Sequence, residues 1–366
     1  MKLEKLFVDK EVRSHEETCI IQERTKLSME IVENENQIFD YINACIDPIE
    51  KGKKCLYITR NRGAAIRDCP GTSHYTCCDY TILHTGTFCT MDCSYCILQA
   101  YFHPPLLRYF AGTKSMFDIL DKIFRQNKIF RIGTGEYTDS LIWEKISDQP
   151  LLLIKKFREQ NNSILELKTK TVNIDRLKNI DHNGKTVIAW SLNTPDIIQS
   201  EEKGTSSLKA RLKAAKRVES WGYKLAFHFD PVVIYQDCIK DYKNVIKTIF
   251  DYVSPQNVLW ISIGSFRFMP HLKPLIEKRF PDSKICYGEF ILGLDNKMRY
   301  FKPLRIKVYK SMVNQIKRYA PEVITYFCME DKKTWNKCFG FIPEGDNTLG
   351  FMLDQSAIKH CKLKKL

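Results

Sequence analysis

A parallel α/β sheet curled into a complete or partial barrel is the fold this sequence predicts. One reason is rhythm: from Tyr80 to Phe280, strand-like and helix-like segments alternate six times. Another is the polar character of the C-terminal ends of those strands, the end at which barrel folds build their sites. The third is the run TGTFCTMDCSYCILQ, Thr85 to Gln99, which follows the first of these strands directly.

Ahead of the barrel, residues 1–78 read as an N-terminal α/β extension. It opens with a strand-like Lys5–Val8. A helical pattern follows through Ile31–Ile49, with Ile31, Ile38, Tyr41, Ile42 and Cys45 at helical spacing. A strand-like LYIT ends at Thr59. Asn61–Thr76, rich in Arg, Gly, Pro and Ser, reads as a loop. Its Arg62 and Arg67, with Arg60 before them, fit either phosphate contacts or a solvated surface.

The core, residues 79–283, takes strands at Thr81–His84, Phe130–Gly133, Ile164–Thr169, Thr186–Leu192, Lys224–Phe229 and Asn257–Gly264. Helices are expected at Thr113–Gln126, Ile142–Gln160, Ser206–Trp221, Cys238–Val253 and Leu272–Phe280, with a short one ending at Leu177. In the first, Met116, Ile119, Leu120, Ile123 and Phe124 share a face. Residues 284–366 break the rhythm. This C-terminal α/β element carries a β-hairpin around Leu294–Asn296, a helix Pro303–Arg318, a strand Val323–Phe327, a helix Lys332–Phe339 and a basic tail Lys359–Leu366.

Composition narrows the class. Of 366 residues, 44% are hydrophobic, enough for a substantial core. No run approaches the roughly 18 apolar residues of a membrane span, and the N-terminus lacks the apolar core of a secretory signal. A cytoplasmic monomer without a membrane partner is the expectation. Fourteen cysteines, mostly scattered singly, read as reduced thiols rather than a disulfide scaffold. Cys19, Cys45, Cys55, Cys238 and Cys286 read as packing or surface residues. Lys plus Arg is 57 and Asp plus Glu is 43, a formal charge of +14. That excess suits a polyanion such as DNA, yet it is spread along the chain and equally fits no such partner.

The chemistry lies in Cys89, Cys93 and Cys96, spaced C-x3-C-x2-C. Three thiolates on one short loop can converge on one centre. The missing fourth leaves a metal position open to a ligand, whereas closed four-thiolate sites mostly hold structure or pass electrons. The competing structural-zinc reading needs a second pair from Cys77 and Cys78, which are adjacent and poorly spaced for it. No Walker loop, G-x-G-x-x-G or H-E-x-x-H is present.

The cysteine spacing resembles that of the radical SAM superfamily. The wider run TGTFCTMDCSYCILQAYFHPPLLRYFAG resembles the cluster loop of spore photoproduct lyases, through Leu98, Gln99, Pro105, Arg108 and Tyr109. FRIGTGEYTDS, KTKTVNID, NGKTVIAWSLN, KGTSSLKARLKAAKRVESWGY and FRFMPHLKPLIEKRFP extend the likeness over most of residues 1–320. The resemblance implies a partial (β/α)6 TIM-like barrel of the radical SAM type. It implies a [4Fe–4S] cluster on Cys89, Cys93 and Cys96 whose open iron binds S-adenosylmethionine, and a lyase that repairs a thymine lesion in DNA. A flavodoxin or ferredoxin would be the reductant. Lys170 matches the lysine near the methionine carboxylate, and Ser191 and Asn193 match polar cofactor contacts. Glu136 fits the cofactor amino group, and Asp139 fits cofactor or structural work. For DNA, Arg267, Lys297, Arg299, Tyr300, Lys302 and Arg305 mix charge with an aromatic group around the hairpin, or form a solvated edge. His228 and Asp230 line the site or form a satisfied pair.

Two departures stand out. Aligning Arg131 and Asp139 puts Glu136 where the lyases carry a hydrogen-donating cysteine, and a carboxylate does not donate a hydrogen atom readily. The lyases flank the last cluster cysteine with two tyrosines. Here Tyr95 remains, as a catalytic candidate beside Glu136, but the second position is Ile97. Both point to a changed radical-quenching step, with Cys328 as a candidate thiol. A radical SAM enzyme acting on RNA, a peptide or a small molecule is the alternative. A non-catalytic iron–sulfur or zinc nucleic-acid-binding protein is the third reading.

Overall fold

The structure, a computed structural model, describes residues 3–72 and 74–364. Its centre is an eight-stranded sheet in the order Ile324–Phe327, Val258–Ser265, Lys224–Val232, Thr186–Ser191, Ser163–Thr169, Phe130–Gly133, Thr81–Leu83, Ile66–Asp68. All neighbours are parallel except the last pair. The strands are nearly continuous apolar runs, as both faces are covered. Trp190, Phe227 and Ile261 are fully or almost fully buried among helices Leu208–Ser220, Cys238–Tyr252 and Lys302–Tyr319.

The expected core strands all form, within a few residues. Val323–Phe327, assigned from sequence to the C-terminal element, instead supplies a further parallel strand at Ile324–Phe327, beside Val258–Ser265. Its Phe327 is buried against Tyr309, Trp335 and Phe339 of the flanking helices. The loop Asn61–Thr76 contains the edge strand Ile66–Asp68. The helix expected over Ile142–Gln160 is confined to Gln149–Arg158, because Pro150 favours the first helical turn and has no amide to continue a helix from upstream.

A second, five-stranded sheet has the order Met29–Val32, Lys5–Asp9, Cys55–Arg60, Leu107–Ala111, Gly86–Thr87. The helical pattern read at Ile31–Ile49 resolves into the strand Met29–Val32 and the helices Asn36–Asn43 and Pro48–Gly52. Ile38 and Ile42 are buried at helical spacing, whereas Ile31 is 45% exposed on the strand. This sheet borrows strands from both flanks of the cysteine loop, so the extension and the loop share one core.

The hairpin forms as Phe290–Leu292 and Met298–Tyr300, with Arg267–Phe268 as a third strand. Helix Leu349–His360, which was not expected from the sequence, reaches into the basic tail. Residues 365 and 366 lie outside the described residues. Ser356 bonds the Leu259 carbonyl at 2.9 Å, Asp354 bonds Arg131 at 2.7 Å, and Lys364 N–H donates to the Asn161 carbonyl at 3.0 Å. These partners sit at strand N-terminal ends, so this segment floors the barrel and leaves the opposite mouth open. Gly133 lets Tyr80 fill the interior: a Cβ there would stand 1.5 Å from the Tyr80 hydroxyl. No helix among the described residues is long and apolar enough to cross a membrane.

Candidate active site

The cysteine loop sits at the open mouth and is gripped from several directions. Asp92–Cys93 pairs antiparallel with Glu202–Lys203, which sets Cys93 opposite Glu202. The Lys53 ammonium, 3% exposed, donates to the carbonyls of Met91 and Cys89 and lies 3.3 Å from Asp92. Arg279 donates to Asp92 at 3.2 Å, to Gln99 at 2.8 Å and to Asp47 at 3.0 Å. Buried cations thus hold the loop's backbone and flanks, and the charge of Lys53 reaches Cys89 and Cys93, where it favours their thiolates.

Burial pushes the Cys89 and Cys93 thiols up, Cys93 to about 12, while Lys53 and Lys170 pull the other way. Such thiols deprotonate once a metal group takes up their charge, which is the chemistry of an iron–sulfur donor set. Among the described residues no three His, Cys, Asp or Glu side chains gather tightly enough for a single ion.

Beside Cys93 lies a buried network. Lys170 Nζ donates to Glu202 at 2.8 Å and to the Tyr95 hydroxyl, and its charge lies 4.8 Å from the Tyr95 ring centroid. The Tyr95 hydroxyl donates to Glu202 at 2.5 Å, and Arg211 donates to the other Glu202 oxygen at 2.6 Å. Burial alone would raise Glu202, but the charges of Lys170 and Arg211 outweigh it and hold the carboxyl down to about 2. Asp139 positions Lys170 by accepting from its backbone N–H at 2.7 Å, as well as from Thr169 at 2.8 Å and Leu141 N–H at 2.9 Å.

The other strand ends bring further groups to the mouth. Glu136 lies 3.6 Å from Lys168. Burial works against the Lys168 charge, but Glu136, Glu166 and Asp230 outweigh it and raise the ammonium. Asp230 pairs with Arg267 at 3.2 Å. His228 is hydrogen-bonded at both ring nitrogens, to Glu166 at 2.9 Å and Ser262 at 2.7 Å, so it is a satisfied member of the barrel interior. The Ser191 carbonyl accepts from Arg211 at 2.8 Å. Asn193 is fully buried, with its amide donating to the Pro231 carbonyl at 2.9 Å and accepting from Tyr242 at 2.7 Å. Those bonds tie strand ends together.

A family profile described as spore photoproduct lyase matches residues 71–327. This chain belongs to the spore photoproduct lyase family. The spore photoproduct lyase of Clostridium acetobutylicum is 28% identical over 257 residues, 69% of this chain and 72% of that one. The Bacillus subtilis enzyme is 27% identical over 241 residues, 64% of this chain and 68% of that one. Among solved structures, a spore photoproduct lyase complexed with dinucleoside spore photoproduct matches with a TM-score of 0.79 at 20% identity, covering 89% of this chain and 99% of that one. A doubly substituted lyase with bound AdoMet and the dinucleoside matches at 0.76 and 20% identity, covering 89% and 98%. The fold is therefore the partial barrel of the radical SAM type. Membership of the spore photoproduct lyase family makes the chain a radical SAM lyase by class.

In this family member the hairpin residues expected at DNA are mostly spent inside the protein. Arg299, 2% exposed, is paired with Asp295 at 2.7 Å and lies 4.2 Å from the Tyr75 ring centroid. Arg305 pairs with Glu330 at 3.0 Å, Tyr300 stacks on Phe290 at 4.3 Å, and Arg267 is held by Asp230. Packing overrides the basic-aromatic pattern here. Lys297 and Lys302 remain partly exposed, beside an exposed apolar tip at Ile291, Leu292 and Leu294.

Sequence reasoning missed Lys53, Glu202 and Arg279, because their partners at the loop and at Lys170 lie far away in the chain, and with Glu202 it missed Arg211, which pairs with it. It also missed an aromatic group beside Glu136. Tyr137 stacks on the exposed Tyr101 at 6.1 Å and contacts His84 at 4.8 Å. Burial pushes the His84 imidazole down to about 4, and both its ring nitrogens lack a partner.

Proposed function

We propose that this chain is a [4Fe–4S] radical SAM enzyme that repairs a thymine lesion of the spore photoproduct type in DNA. The cysteine loop carries the reading: three sulfur donors, on a loop held by buried cations, at the open mouth of a partial barrel. Cys89, Cys93 and Cys96 would hold three irons, leaving one for S-adenosylmethionine. When bound, the pair supplies one electron to a carbon–sulfur bond and yields a 5′-deoxyadenosyl radical.

The chain's own residues would bind and orient. Lys170 is the cation for the methionine carboxylate, held in place by Asp139 and Glu202. Tyr95 fixes the Lys170–Glu202 pair and is the catalytic candidate on the loop. Ser191 and Asn193 shape the cofactor side, Asn193 through the strand ends it ties. Glu136 serves the cofactor amino group or the radical step. Tyr101 and Tyr137 offer a stacking surface for an extruded base. The net charge of +14 suits DNA as the partner. A single-electron donor of the flavodoxin or ferredoxin class would reduce the cluster, and a cytoplasmic monomer is the working form.

A second reading, the same radical chemistry on RNA, a peptide or a small molecule, is favoured by Glu136. Its carboxylate is ion-paired with Lys168, and it occupies the position the resemblance matches to the lyases' donor cysteine. Reconstituted protein with a reductant, S-adenosylmethionine and a dinucleotide carrying the spore photoproduct separates the two. Reversion to two thymines supports lesion repair. Release of 5′-deoxyadenosine with the dinucleotide untouched supports the second reading.

A further inference from the structure

The barrel is not closed strand to strand. Its gap, between Thr81–Leu83 and Ile66–Asp68 at one edge and Ile324–Phe327 at the other, is sealed by residues 69–72 and 74–80. Thr76 N–H donates to the Glu330 carbonyl at 3.1 Å across this junction, and Cys69 N–H to the Tyr80 carbonyl at 2.8 Å. Four cysteines meet in it. Cys69, Cys77, Cys78 and Cys328 line one cavity of about 20 Å³, room for roughly one water. Packing there is tight: a Cβ on Gly71 would stand 2.9 Å from the Cys77 sulfur.

The four thiols differ in position and state. Cys328 directly follows strand Ile324–Phe327, at the mouth where Glu136 and Asp230 lie. Arg267 holds it there, donating to Asp230 at 3.2 Å and to Cys328 Sγ at 3.5 Å. Burial, then the Asp230 charge, pushes the Cys328 thiol up to about 12, so it carries its hydrogen at neutral pH. Cys77 is the opposite case. The Cys78 thiol donates to its sulfur and, with the backbone N–H groups of Asp79 and Cys78, holds it down to about 6, a thiolate at neutral pH.

We infer that Cys328 is the hydrogen-atom donor of this enzyme and that Cys77 captures the radical left on it. The inference rests on the radical chemistry proposed above. The product carbon radical takes the hydrogen atom from Cys328: a C–H bond forms, the S–H bond breaks, and a thiyl radical remains. That thiyl bonds to the Cys77 thiolate, giving a disulfide radical anion with no change in total charge. One electron, from the donor that reduces the cluster, and one proton then restore the thiol and the thiolate. The hydrogen thus comes from the sealed gap of the barrel, and Glu136 need not supply it.

The test is turnover of the reconstituted holoenzyme on the lesion-bearing dinucleotide in D2O. Thiol hydrogens exchange with solvent, so the repaired thymine should carry solvent deuterium, with about one 5′-deoxyadenosine released per repair. Cys328→Ser keeps the size and a polar contact to Arg267 but has a far stronger X–H bond. It should lower labelled product by about tenfold or more, whereas Cys69→Ser, in the same cavity, should stay within about twofold. Undiminished labelled product from Cys328→Ser, or unlabelled product from the unaltered protein, overturns the donor assignment. A 5′-deoxyadenosine yield far below product overturns the capture step. If the unaltered protein repairs nothing while releasing 5′-deoxyadenosine, lesion repair fails, and the thiols are decided on the protein alone. Mild oxidation with diamide followed by peptide mapping should then give a Cys77–Cys328 disulfide. Pairing of Cys77 only with Cys78 or Cys69, or none, overturns the inference.

Discussion

Lys170 and Glu202 form a 2.8 Å ion pair beside the cysteine loop, and Glu202 stands opposite Cys93 in the short strand pair that fixes that loop. One carboxylate therefore links the cofactor-side lysine, Tyr95, Arg211 and the loop backbone. Glu202→Gln leaves two buried cations short of a partner. Breaking such a pair costs about 3–5 kcal/mol, and urea unfolding should show a lower midpoint by a matching amount. An unchanged midpoint would show that the network is solvated in solution.

The same carboxylate sets an acid limit. Glu202 is held down to about 2 in the folded chain, below the ordinary 4.5. A depressed acid contributes stability that is fully present above its unfolded value and is lost as pH falls through the folded one. Stability should therefore decline between pH 4.5 and 2, and Glu202→Gln should flatten that part of the profile. A parallel decline in both proteins would sink the assignment. Thermal midpoints across that range provide the reading.

Lys53 is the extension's contribution to the loop. Lys53→Met removes the donor to the Met91 and Cys89 carbonyls and the partner 3.3 Å from Asp92. Iron and sulfide bound per chain after anaerobic reconstitution should fall about twofold or more, since supporting contacts orient metal ligands. Full iron content would mean that Arg279 and the strand pair hold the loop unaided.

Glu136→Cys puts a thiol at the position the resemblance matches to the lyases' donor cysteine, and removes the 3.6 Å partner of Lys168. Repaired product per 5′-deoxyadenosine should rise in a Cys328→Ser background. No rise would argue that this strand end is too far from the product radical to serve it.

At the hairpin, the arginines and lysines should part company. Arg299→Ala breaks a buried pair with Asp295 and should destabilise the fold. Lys297→Ala and Lys302→Ala should weaken DNA binding and each lower the salt slope by about one. A binding loss for Arg299→Ala at full stability would reverse this division.

The repeating strands were legible because most are buried, largely apolar runs bounded by turns, as in Thr186–Ser191 and Val258–Ser265. The cysteine spacing was legible because ligand geometry is local. The loop's supports were not: Lys53 and Arg279 lie 38 and 180 residues from Met91 and Gln99, and nothing local marks them as partners. The hairpin misled for a related reason. An arginine's sequence context does not reveal a buried carboxylate such as Glu330 or Asp295. Helix Leu349–His360 was overlooked because its interior partners are strand ends far upstream.

That helix has a consequence for biogenesis. Asp354 meets Arg131 across 223 residues of chain, so the floor of the barrel is laid only after the last wall strand, Ile324–Phe327, has been synthesised. Until residue 360 has left the ribosome, the interior behind the cysteine loop stays open to water from below. A cluster of the kind proposed, inserted into the nascent chain, would enter an unsealed vessel, so its loading is expected after this helix has docked.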